Sequence, residues 1–320
     1  APYRASVEIG TAAVDLVGET EVWARATPTG HAARLSLAQG RAVLHGTTPI
    51  LPFEVQLDGH AVSITPPPGV AVGVERLNRR APGQAVASRP VLRVYASEGP
   101  VKVKSKAVEE SLDGPGALTV EADGKITGKT GDNPPSWVTE SEPSPFERKI
   151  GEQFLEFFRS GQPVVASLVE ATENKQKDIC RLAVSALRSV GDLSLIVPLL
   201  SRKGDPTAAT ARKSAIAVLR AFLAQGPEAA KTLHEQLDND MGEEMAATAE
   251  KLLVGYSAKE AAEESTYAKL VQLLGSTDDG EIGIRELALD NLMSLTGRDD
   301  LGYDPEKPGD KGLKAWRDLL

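Results

Sequence analysis

The chain has 320 residues, enough for about two domains that each bury a core of their own. Its 41% hydrophobic and 25% charged residues match an ordinary folded chain and exclude wholesale disorder. A net charge of −9, a pI near 5.2 and the lack of any basic tract set it against phosphate backbones, so nucleic acid is not expected as a partner. Cys180 is the single cysteine, so no intramolecular disulfide forms and cysteine usage does not indicate a compartment. No run of 18 or more apolar residues occurs and no signal peptide opens the chain. The expectation is either a cytosolic chain or one whose targeting or membrane segment is absent.

In chain order, the first elements are strands. "SVEIG", "EVWARA", "ARLSLAQGRAVLHG", "PFEVQLDGHAVSI", "VLRVYASEGPVKVKS" and "ALTVEADGKITG" alternate with period two. The alternation puts Val7 and Ile9, Leu35 and Leu37, and Val101 and Val103 on buried faces. Residues 1–145 hold 18 Val against 10 Leu, and residues 146–320 hold 9 Val against 25 Leu. Because β-branched residues favour strands and Leu favours helices, the first half reads as β and the second as α. Fifteen of the 21 prolines fall in the first half, where turns between short strands need them.

The boundaries expected from this are a β domain over 1–127, a Pro/Gly-rich linker over 128–143 that Trp137 anchors in part, and an α domain over 144–320. The fold class is multidomain β plus α: an all-β sandwich or β-solenoid, then an α-solenoid of helix pairs. The α domain opens with Ser144 as N-cap, Pro145 at the first helical position, and Ile150, Phe154, Phe157 and Phe158 on one face before Gly161.

Beyond it one spacing returns four times: Ala183 with Leu187, Ala215 with Leu219, Ala249 with Leu253, and Ala288 with Leu292. The intervals of 32, 34 and 39 residues are those of stacked helix pairs, in which Ala admits a neighbouring helix and Leu one turn later fills the space beside it. The stretches "DLSLIVPLLSR" and "PEAAKTLHEQL" read as the second helices of such pairs, and Trp316 as the side chain that closes the last layer. Arg181, Arg212 and Arg285 recur near the starts of the repeat helices. They form either a basic row that binds a partner or internal pairs with acids of adjacent repeats.

The stretches that suggest chemistry do not complete a motif. In "DGKITGKT", Gly124 and Gly128 are separated by three residues where a phosphate loop has four between its glycines, so the segment reads as a hairpin. "DNDMGEE" and "RDDLGYDPE" cluster carboxylates beside glycine without the ligand spacing of a calcium loop. His31, His45, His60 and His234 are not at metal-ligand spacing, and Cys180 reads as buried and inert. No cofactor, metal or catalytic residue is assigned.

"RLAVSAL", "RKSAIAVL", "RELALDNL" and the terminal "LTGRDDLGYDP…W" together resemble bacterial HEAT-like repeats over about Asp178 to Leu320. That superfamily includes lyase and DNA glycosylase branches, and no matching site for either is present. "ARLSLAQGRAVL" and "VLRVYASEGPVKVK", each alternating around Gly40 or Gly99, resemble the FecR-type extracytoplasmic domain over roughly residues 10 to 110. That resemblance implies a bacterial cell-envelope, periplasmic signalling protein that belongs to an anti-sigma regulator with an upstream transmembrane helix. The expected function is therefore a non-enzymatic protein-binding scaffold or sensor. The membrane is reached only through a segment absent from this chain, and no oligomeric state is implied. Two alternatives stay open: a lyase-type enzyme with an inter-domain cleft near Tyr303, and a carbohydrate-binding envelope protein, for which 4% aromatic residues is sparse.

Overall fold

The structure, a computed structural model, describes residues 4–10, 12–25, 29–57, 59–79, 83, 89–140 and 144–319. It divides into two compact units, Ala1–Arg79 with Arg89–Glu152, and Arg80–Ser88 with Gln153–Leu320.

The first unit is one sheet of β1 (Arg4–Ile9), β2 (Ala12–Arg25), β3 (Ala33–His45), β4 (Phe53–Leu57), β5 (His60–Thr65), β6 (Ala71–Arg79), β7 (Arg89–Ala96), β8 (Val101–Ser105), β9 (Val108–Leu112), β10 (Gly116–Val120) and β11 (Ile126–Thr130). The long strand β3 organises it. Along one edge β3 pairs antiparallel with β2, while along the other its residues 33–36 pair parallel with β4 and its residues 40–45 antiparallel with β6. The change of partner falls at Gly40, whose φ of +93° suits only a residue without Cβ, and β2 bends opposite it at Gly18. Two branches leave this hinge, β4-β5-β8-β9 and β6-β7-β10-β11, and curl the sheet nearly into a barrel.

Between the branches lies one core. Phe53, Val55, Val62, Ile64 and Val103 come from one side and Val72, Val74, Leu92, Val94 and Leu118 from the other. Leu35, Leu37, Val101 and Val103 are buried as their alternation predicts, but Val7 is 39% exposed because β1 is an outer strand. Among the described residues every strand pair is antiparallel except β3–β4, which is the pairing of one sheet curled nearly into a barrel and not of a solenoid. The two stretches around Gly40 and Gly99 differ in structure. The first is a single bent strand, and the second is β7, a turn and β8 in different branches.

The segment read as a linker carries the end of β11 and a short helix, α1 (Ser136–Thr139), whose Trp137 and Val138 are buried; residues 141–143 lie outside the described residues. The boundary between the units falls within α2 (Pro145–Leu155). There Ser144 and Glu147 form the reciprocal N-terminal cap, since the Glu147 N–H donates to Ser144 Oγ (3.2 Å) and the Ser144 N–H to Glu147 Oε2 (2.9 Å). The helix ends at Leu155, six residues before Gly161, so Phe157 and Phe158 stand in the turns after it.

The second unit contains α3 (Val164–Thr172), α4 (Lys177–Val190), α5 (Ala208–Leu223), α6 (Pro227–Met241), α7 (Glu243–Val254), α8 (Ala258–Ala261), α9 (Glu264–Leu274), α10 (Ile282–Thr296) and α11 (Asp310–Leu319). The four repeated Ala–Leu pairs lie on α4, α5, α7 and α10, and all eight side chains are buried to within 1%. These four helices pack in sequence, with α3, residues 197–201, α6 and α9 as the second row, which is the two-row stack of an α-solenoid. In the second row, "DLSLIVPLLSR" forms two 3₁₀ turns in place of an α-helix, because Pro198 has no N–H to donate.

Candidate functional site

Arg181, Arg212 and Arg285 do not form a common row. Arg212 and Arg285 each stand three residues before the repeated alanine, within one helical turn of the packed face, and both are 1% exposed. Arg181 stands two residues before Ala183, about 200° around the helix, and points into solvent, where it bonds Asp178 of its own helix at 2.8 Å. The residues that do occupy the turn before the alanine in the other two copies, Cys180 and Ala246, are fully buried. Internal pairing holds for Arg212, whose partners come from other layers of the stack.

Arg212 Nε donates to Glu286 Oε2 and its Nη1 to Glu306 Oε1, each at 2.7 Å, and Nη1 also reaches the Arg202 carbonyl at 2.6 Å. Burial pulls down the Arg212 pKa, but the hydrogen bonds and charges of Glu306 and Glu286 outweigh it and the value is raised. For Glu306, burial is outweighed by the bonds from Arg212 and the Gly204 N–H and by the Arg212 charge, so its pKa falls below the ordinary carboxylate value. Arg285 holds loops through their carbonyls: Pro305 O at 2.8 Å, Asp278 O at 2.6 Å and Ser276 O at 3.2 Å.

The remaining sequence candidates are also consumed by the fold. Tyr303 is 4% exposed and its hydroxyl donates to the Leu274 carbonyl at 2.6 Å, so it is not directed into a cleft. In the carboxylate-rich loop, Asp299, Asp300 and Asp304 accept from the N–H groups of Leu301, Gly302 and Glu306, closing local turns. Burial pushes the Cys180 thiol up, away from the reactive thiolate. His45 lies 2.9 Å from Asp15, and His234 2.9 Å from Glu250. Among the described residues no group of three or more His, Cys, Asp or Glu is placed to hold a metal, and no helix is long and apolar enough to cross a membrane.

A polar ladder on the outer face of the sheet escaped sequence analysis. Arg41, Glu75 and Arg93 are register neighbours across β3, β6 and β7. Glu75 accepts from Arg41 Nε at 2.7 Å and from the Tyr95 hydroxyl at 2.9 Å. Trp137 packs edge-on to Tyr95 and beneath the Arg41 guanidinium, each 5.6 Å away. Burial, then the hydrogen bond and charge of Glu75, push the Tyr95 pKa up to about 12. Only the two-residue spacing of Arg41 and Val43, which puts them on one face of β3, signalled this face in the sequence.

An exposed apolar patch lies on α3. On α3, Val164 is 61% exposed while Leu168 and Ala171 pack inward, and Val165 and Val169, one turn apart, also face solvent. A shallow cleft of about 360 Å³, lined by Ala268, Val271, Gln272 and Arg317, lies between α9 and α11.

No protein-family model and no curated protein matches the sequence. Two crystal structures of a "putative anti-sigma factor" from Parabacteroides distasonis ATCC 8503, at 1.65 Å and 2.50 Å, are similar at 16% identity and a TM-score of 0.30. The likeness covers 41% of this chain and 57% of theirs, less than two thirds of their length.

Proposed function

We propose that the chain is a non-enzymatic protein-binding part of a bacterial envelope regulator, with a FecR-like β unit outside the inner membrane and a HEAT-like helical stack as its binding arm. The observation that carries this reading is the exposed valine face of α3, the first helix of the stack. Terminal layers of such stacks ordinarily turn a polar face outward, so an apolar one is suited to a partner helix that continues the stack. The buried ionisable groups support the same reading, because Arg212, Arg285, Glu286 and Tyr303 spend their hydrogen bonds on the fold. The membrane attachment and extracytoplasmic placement rest on the FecR-type resemblance of the strands around Gly40 and Gly99.

The test is capture from envelope extracts by the full chain and by a Val165→Asp, Val169→Asp variant, followed by binding of the purified candidate to both. A partner lost on the variant supports the reading, and one retained at equal affinity sinks it. Fusion of the full gene product to a phosphatase active only outside the cytoplasm tests the placement.

A further inference from the structure

The β unit carries a second uncovered feature at the edge of its sheet. Along β2, β3 pairs from Val14 to Arg25, but β1 covers the opposite side only from Ala12 to Val17. From Glu21 to Arg25 no strand lies on that side among the described residues. Trp23 on this stretch is 53% exposed. Ala24 is exposed too, although its partner Leu35 is in the core, so even the inward-facing side of the edge is open. Gly18 and the register shifts that follow it bend the strand earlier, but pairing with β3 is regular again from Val22 to Arg25, without lysine or proline to blunt the edge.

Glu21, Trp23 and Arg25 alternate onto one face, and neither charge makes an ion pair among the described residues. This edge is complementary to itself in one direction only. A second copy laid antiparallel about Trp23 brings Glu21 opposite Arg25 twice, Trp23 opposite Trp23, and Val22 opposite Ala24. A parallel copy brings like charges together. The other outer strands differ. On β1, Arg4 is already bound to Asp15 and to the Trp137 and Glu140 carbonyls, β9 carries Glu109 and Glu110 with no cation, and β11 carries Lys129 with no acid. We propose that two copies of this chain pair antiparallel along the free edge Glu21–Arg25 of β2, with Trp23 facing itself across the two-fold axis. Such an isologous contact closes on itself and yields a dimer instead of a filament. This inference is independent of what α3 binds.

The experiment is sedimentation of the full chain over a concentration series into the high-micromolar range, with Glu21→Arg and Arg25→Glu variants measured alone and mixed. The expected result is a wild-type dimer whose dissociation constant rises on the order of tenfold or more in either variant, since two attractive cross-strand pairs become repulsive. Mixing the two variants restores association, because each then supplies the charge the other lacks. Trp23→Cys places two Cα atoms about 4.5–5.5 Å apart across the axis, within disulfide reach, and gives a covalent dimer on oxidation that the wild type, with Cys180 buried, does not. Unchanged thermal midpoints confirm that the variants fold. A chain that stays monomeric throughout, or a dimer indifferent to both charge reversals, overturns the proposal.

Discussion

Replacing Arg212 with methionine tests whether the buried ion network holds the helical stack together. Arg212 and Glu286 are 1% and 2% exposed, so the substitution leaves the Glu286 carboxylate without its countercharge in a place water does not reach. Breaking a buried pair from one side costs about 3–5 kcal/mol, most of it the penalty of the orphaned charge and not the loss of attraction. For a unit of this size each kcal/mol moves the melting midpoint by roughly 2–4 °C, so Arg212→Met lowers it by about 6–20 °C. The second variant separates the two contributions. Adding Glu286→Leu removes the stranded charge and recovers much of the loss, while Glu306, 22% exposed at its side chain, regains water. Denaturant unfolding followed by far-ultraviolet circular dichroism measures both. A single variant that loses less than about 1 kcal/mol, or a double variant less stable than the single, refutes the assignment of this network as a buried ionic one.

Other consequences follow from particular contacts. A Cβ at Gly73 would lie 2.4 Å from Val138 Cγ2 and 2.9 Å from the Trp137 ring, so Gly73→Ala pushes α1 away from the sheet at a cost of about 1–3 kcal/mol. In a background where Trp23 and Trp316 are Phe, its Trp137 emission shifts to the red, and an unchanged spectrum refutes the packing. For Asp15, burial is outweighed by hydrogen bonds from Ser6 and His45 and by the charges of His45 and Arg4, so its pKa is lowered. Its stabilisation is present above the ordinary carboxylate pKa and disappears as pH falls through the lowered value, and Asp15→Asn flattens that limb of the stability–pH curve. An acid limb identical in both proteins counts against it. Trp316, with no exposed surface, donates its indole N–H to the Asp300 carbonyl at 3.2 Å, so Trp316→Ala costs about 3–5 kcal/mol in urea unfolding, and a loss below 1 kcal/mol sinks its role in closing the last layer.

What could be read from the sequence depended on how local its cause was. The Ala–Leu spacing is local, since residues four apart share a helix face, and all four pairs are buried. The recurring arginines were misaligned with one another by one residue. Arg212 and Arg285 share the turn before the alanine, whereas Arg181 sits a position later and faces water, a difference of register that recurrence alone does not reveal. Strand alternation placed Leu35, Leu37, Val101 and Val103 in the core, but not the order of strands, because the switch of partner at Gly40 depends on pairing with segments far along the chain. Trp23 and Trp137 show the same limit. Trp137 is buried because it packs against Tyr95, Val43 and Val17, while Trp23 has no such cover, and nothing adjacent to either residue distinguishes them.

The C-terminal loop explains why two of the recurring arginines, Arg212 and Arg285, are buried. Arg212 on α5 and Arg285 on α10 reach consecutive residues of that loop, the first through the Glu306 carboxylate and the second through the Pro305 carbonyl. Glu306 also accepts from the Gly204 N–H at 3.0 Å, and Tyr303, in the same loop, bonds the end of α9 through Leu274. Contacts between residues 94 and 102 positions apart thereby join the loop to the layer around α5, which precedes it by two further helix pairs. A stack held only by nearest neighbours unfolds layer by layer, because each layer's stability depends on the next alone. Here the loop links α5, α9 and α10 directly, so opening it exposes two buried guanidinium groups and the Glu286 carboxylate together. Two of the three arginines that resembled a binding row, Arg212 and Arg285, are fasteners of the stack, and Arg181 alone of the three faces solvent.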